Sequence, residues 1–149
     1  MELIRQMFYT MRRKGGVGLA APQVGFSLRL VVVEVKAQSS KSKIAPIPPT
    51  VLINPEILSS SEERVNGYEG CLSFPNVRGA VRRYRNSKVK YLDQFGKEHV
   101  VEFEGFHASV LQHEIDHLDG VLYTERMDDL ESLMTLNEFE KQFGSRVSK

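Results

Sequence analysis

The stretch His113-Glu114-Ile115-Asp116-His117 limits what this chain can fold into more than any other feature. Its two histidines are four residues apart. On an α-helix that spacing sets both side chains on one face, a turn apart. Both imidazoles can then address one metal ion. Glu114 stands beside them, close enough to serve a water at the ion without being a ligand. The plainer reading is a polar helix face with two unrelated histidines. It is the weaker one in a chain with only 4 histidines in all. The surrounding periodicity agrees with a helix. Phe106, Val110, Leu111, Ile115 and Leu118 mark it over 106–118, and Gly120 provides the C-terminal cap.

A catalytic metal site needs a third protein ligand and an open position for water. One large class of zinc proteases reads H-E-x-x-H-x-x-G-x-x-H. This chain follows that pattern through His117 and Gly120, but has Tyr123 in place of the last histidine. The third ligand therefore comes either from a later acid, Glu125 or Glu131, or from upstream. The upstream candidate is Cys71, within the compact, turn-like stretch Glu69-Gly70-Cys71-Leu72-Ser73-Phe74-Pro75. A lone cysteine is by default a small buried hydrophobe. Beside a two-histidine helix that lacks a ligand, the thiolate reading gains.

The rest of the chain reads as an α+β scaffold. Leu3, Ile4, Met7, Phe8 and Met11 recur at helical spacing, and Gly15-Gly16 ends that helix. Arg5, Arg12, Arg13 and Lys14 against the single acid Glu2 also give the segment a transit-peptide flavour. The clean apolar stripe favours a helix docked on the core. Residues 16–23 form a tight loop of small residues. Residues 28–35 make a valine-rich buried strand. Residues 36–50, with Pro46, Pro48 and Pro49, read as a surface loop. Short strands are expected at 51–54 and 56–60, broken by Pro55. The stretch 67–75 reads as irregular. Strands follow at 78–84, 88–93 and 98–104, with a turn at 93–96 and a terminal helix over 128–143.

With 149 residues, no repeat and no linker, the chain reads as one domain, 1–149. A net charge of +1 argues against a nucleic-acid binder. No apolar run is long enough to span a membrane as a helix. The single cysteine rules out an internal disulfide and fits a reducing compartment.

Three motifs in order, G-V-G-L-A-A-P-Q at 16–23, E-G-C-L-S at 69–73 and Q-H-E-I-D-H-L at 112–118, make the chain resemble the peptide deformylase family. The resemblance covers nearly the whole chain. It implies an α+β fold with mixed or antiparallel sheets around a central metal-binding helix. It implies Cys71, His113 and His117 as ligands of one divalent ion, Fe(II) natively, with Zn, Ni or Co as substitutes. Glu114 would be the general acid/base. The Gln23 amide and the Leu72 backbone N–H would steady the developing oxyanion, and Gly18 and Gly70 would lie along the substrate. The implied reaction is hydrolysis of the formyl group from formyl-methionine on nascent peptides.

His113, Ile115 and the segment near Arg78 are candidate walls for the methionine side chain, and Arg78 is a candidate partner for Glu69. Family members carry a strand and a P-D-x-x-L-R-like segment before the first helix, so the chain is expected to be shortened at its N-terminus. A monomer is implied, in a bacterial cytoplasm or an organelle matrix, in transient contact with the ribosome and with no nucleic-acid or membrane partner. The competing readings are a zinc endopeptidase using a downstream acid, which leaves Cys71 idle, and a non-enzymatic relic that binds a partner.

Overall fold

The valine run is buried on both faces, and this organises the molecule. A computed structural model describes residues 1–36 and 44–144. It begins with α1 (Glu2–Arg13), β1 (Gly18–Ala20), a 3-10 turn (Ala21–Val24) and β2 (Leu30–Val35). Five strands follow: β3 (Ile47–Ser60), β4 (Arg64–Cys71), β5 (Phe74–Tyr84), β6 (Asn86–Leu92) and β7 (Glu98–Glu104). Then come α2 (Phe106–Leu118), a second 3-10 turn (Tyr123–Arg126), β8 (Met134–Thr135) and α3 (Leu136–Phe143). One sheet has the order β1-β2-β3-β6-β7, and a second has the order β4-β5-β8. Every pairing is antiparallel.

Alternation along β2 sends Val31, Val33 and Val35 to one face and Leu30 and Val32 to the other. The first set packs on Val110, Leu111 and Ile115 of α2. The second packs on Met7 and Met11 of α1, which docks through the expected stripe. Burial on both faces explains why β2 reads as a continuous apolar run rather than an alternating one. Each such side chain contributes ~1.5–3 kcal/mol of transfer free energy.

Helix α2 is tied to the second sheet by Gln112. Its Oε1 accepts from the Tyr84 N–H at 3.1 Å, and its Nε2 donates to the Tyr84 carbonyl at 2.8 Å. The helix ends as expected, with Gly120 at φ 77°. This left-handed conformation suits glycine.

Four expectations change. Pro55 does not break β3. A bulge sets Asn54 and Pro55 opposite one residue of β6, and Asn54 takes φ 51°. The proline, which lacks an N–H, thus sits where the ladder is already interrupted. A second bulge places Pro48 and Pro49 in the same strand, so the surface loop stops before Ile47, while its residues 37–43 lie outside the described part. The stretch 67–75 closes as a hairpin, and its irregularity is a register break at Gly70, opposite which 75–78 bulge out. The terminal helix is confined to α3, because Met134 and Thr135 pair with β5 and Thr135 caps the helix by accepting from the Glu138 N–H.

Candidate metal centre

Helix α2 presents His113 and His117 with their Nε2 atoms 3.2 Å apart. The end of β4 brings the Cys71 Sγ to 3.1 Å from the His117 Nε2. All three ligand atoms lie within 4.8 Å of one another, and they are the group of this kind found among the described residues. One tetrahedral ion with ordinary Zn–S and Zn–N bond lengths would need roughly 3.4–3.6 Å between ligand atoms. The donor set therefore fits a single ion. Glu125, the alternative third ligand, is exposed and accepts from the Leu122 N–H. Tyr123 stacks on the His113 ring at 6.1 Å.

The thiolate is satisfied locally. The Ser73 N–H donates to Sγ at 3.4 Å, and the Gln23 amide reaches it at 3.6 Å. Burial would raise the Cys71 thiol. Hydrogen bonds to His113 and His117, and their positive charge, outweigh burial and lower its pKa to about 5. Burial would lower His113. Hydrogen bonds to Cys71 and Glu69, and the nearby charge of Glu114, raise it to about 9.

Glu69 lies two residues before Cys71, so both side chains leave β4 on the same side. Its Oε2 accepts from the His113 Nδ1 at 2.7 Å. That contact fixes the tautomer and turns the Nε2 lone pair toward the centre. Glu69 is gripped in turn by Arg83, at 2.9 and 3.1 Å. Arg83 also donates to Asp116 at 2.6 Å, and Arg126 holds the other oxygen of Asp116 at 2.7 Å. Arg83, which no local pattern marks, thus grips Glu69 through two hydrogen bonds. Arg83 shares the buried face of β5 with Val81 while Arg82 is exposed, an ordinary strand alternation, and only the tertiary pairing reveals its role.

A cavity of about 630 Å³ opens onto this centre, lined among others by Gly18, Gln23, Gly70, Leu72 and Glu114. The Ala20 N–H holds the Gln23 Oε1 at 2.8 Å, so the amide NH₂ faces Cys71 and the Ser73 Oγ. Gly18 has a more specific reason than room for substrate, because a Cβ there would collide with the Glu114 carboxylate. A Cβ on Gly70 would collide with the Arg78 guanidinium. His113 and Arg78 line the cavity as expected, but Ile115 does not. It belongs to the core under the large sheet, and Val110 and Leu136 supply apolar wall instead. One helical turn separates Val110 from His113, a spacing that could have marked it.

The sequence profile of the family described as polypeptide deformylase matches residues 1–133. This chain belongs to the polypeptide deformylase family. It is a hydrolase of that metal-dependent type and removes the N-formyl group from nascent peptides. The peptide deformylase of Roseiflexus castenholzii is 44% identical over 146 residues, covering 93% of this chain and 79% of that one. The peptide deformylase of Brachyspira hyodysenteriae is 43% identical, covering 99% and 78%. Among solved structures, a Met-Ala-Ser-bound class I type b peptide deformylase from Acinetobacter baumannii superposes with TM-score 0.76 at 44% identity. That match covers 81% of this chain and 76% of that one. The peptide deformylase of Ehrlichia chaffeensis gives TM-score 0.80 at 37% identity, covering 88% and 75%. Among the described residues of this deformylase, no helix is long and apolar enough to cross a membrane.

Proposed function

We propose that Cys71, His113 and His117 hold one divalent ion, Fe(II) natively with Zn, Ni or Co as substitutes, and that Glu114 moves the protons of formyl hydrolysis. The observation that carries this is the convergence of the three ligand atoms, the Glu114 carboxylate and the Gln23 amide on one cavity. A mixed thiolate and imidazole donor set suits iron as well as zinc. Bound there, the ion supplies Lewis acidity, polarising a carbonyl and acidifying water.

The chain's own groups do the rest. Glu114, seated against Gly18, takes the proton of the attacking water and returns it to the departing amine. The Gln23 NH₂ and the Leu72 backbone N–H donate to the oxygen on which charge develops. Losing one such donor costs ~10²–10³ in rate. Gly18 and Gly70 keep the peptide's path clear beside Glu114 and Arg78. A relative that carries Met-Ala-Ser supports a peptide lying in this cavity. Two sheets and α2 serving one cavity support reading residues 1–149 as one catalytic domain.

The test is formate release from formyl-Met-Ala-Ser by anaerobically purified, Fe(II)-loaded protein. Glu114→Ala is expected to retain metal and lose at least ~10²-fold in rate. Activity that survives Glu114→Ala would remove Glu114 from the proton path. Loss of metal in that variant would make it a ligand instead.

A further inference from the structure

Strand β1 is an edge of the large sheet. One side pairs with β2, and Gly16, Val17 and Gly18 line the cavity. An extended peptide can join such an edge through backbone hydrogen bonds. Beyond Gly18 the Gln23 side chain points into the centre, its amide reaching the Cys71 Sγ and the Ser73 Oγ. A peptide with its formyl group at the ligand set therefore leaves past Val17 and Gly16, toward the end of α1. Lys14, the C-cap of α1, lines that end of the cavity.

Lys14 is exposed, and its side chain makes no ion pair or hydrogen bond among the described residues. Its neighbours are committed elsewhere. Arg12 binds Glu34 at 2.6 Å, and Arg13 donates to the Tyr9 hydroxyl. Glu114 is the one carboxylate in the described lining, and it sits at the far end, against Gly18. The lining's other fixed cation is Arg78. Among the described lining residues, no carboxylate stands beside Lys14 at the outer end of the path.

Extended chain advances ~3.3 Å per residue. If the formyl-methionine lies beside Val17 and Gly18, the third residue of the substrate passes Gly16 and reaches the end of α1 that Lys14 caps, and its side chain shares a face with the first. We propose that Lys14 is a specificity-determining residue that favours formyl peptides with an acidic third residue. This rests on the deformylase reading of the same cavity.

The experiment compares kcat/KM for C-terminally amidated formyl-Met-Ala-Asp and formyl-Met-Ala-Lys peptides at low and high salt, with the uncharged formyl-Met-Ala-Ser amide alongside. In the wild type the Asp peptide is expected to lead by about fivefold, the scale of an exposed charge pair. The difference should lie mainly in KM and shrink as salt screens it. Lys14→Glu is expected to invert the order, and Lys14→Met to level it. A ratio of two substrates does not change with the amount of folded protein, so a purely structural effect of either variant leaves it unmoved. Equal turnover of both charged peptides, or a preference unchanged in Lys14→Glu, overturns the assignment while turnover of the Ser peptide leaves the reaction standing. No turnover of any peptide overturns both.

Discussion

Arg83 is 6% exposed and faces two carboxylates, Glu69 and Asp116, which are themselves 1% and 8% exposed. Burial would lower the Arg83 pKa, but the hydrogen bonds and charge of Glu69 and Asp116 raise it, so the guanidinium stays charged. Replacing it with methionine roughly keeps the volume and removes the cation that Glu69 and Asp116 share, leaving Asp116 on Arg126 and Glu69 on His113. Breaking a buried pair in this way costs about 3–5 kcal/mol. Arg83→Met is expected to show that loss in urea unfolding, together with weaker metal binding as Glu69 releases His113. A loss under roughly 1 kcal/mol would mean that the network behaves like a surface pair.

The same residues set a pH dependence. A metal needs deprotonated ligands. In the free protein His113 gives up its proton near 9 and Cys71 near 5. Apparent metal affinity should therefore fall roughly tenfold per pH unit below about 9, and more steeply below about 5. Chelator competition across that range checks this. A flat profile would show that the ligands are not protonated in the free protein.

Among the elements, β1 and α2 depend on each other most directly. The Glu114 carboxylate occupies the space a side chain at Gly18 would need. Gly18→Ala is expected to displace Glu114 and lower kcat by ~10², the scale of a misplacement of about 1 Å. Metal content should be unchanged, because the three atoms nearest to that Cβ all belong to Glu114 and none to Cys71, His113 or His117. Full activity in Gly18→Ala would mean that the carboxylate has room to move. Strand β3 shows a different dependence. Pro55 reads as a breaker and Pro48 and Pro49 as loop, but bulges absorb all three, and a central strand continues through.

For the whole molecule, the proposed ligands come from the end of β4 and from two turns of α2, so an ion held by them would join the second sheet to the central helix. An ion that binds only the folded state stabilises it by about 4 kcal/mol at a thousandfold excess over its Kd. Anaerobic chelation is expected to lower Tm, and adding back Fe(II) or Zn to restore it. An unchanged Tm would place the ion outside the folding equilibrium.

The sequence alone determined what local rules can carry. The i, i+4 histidines, the apolar stripe of α1, the doubly buried valine run and the glycine after α2 each follow from the periods of helix and strand, and all stand in the structure. The three ordered motifs named the candidate ligands, which the fold then brings to one place. The role of Arg83 as a grip on Glu69 rested on the tertiary structure. So did the collision that keeps Gly18 a glycine, and the substitution of Val110 for Ile115 in the cavity wall. Those depend on which strand lies against which helix face, and on bulges that shift register by a residue. Neither leaves a periodic trace along the chain.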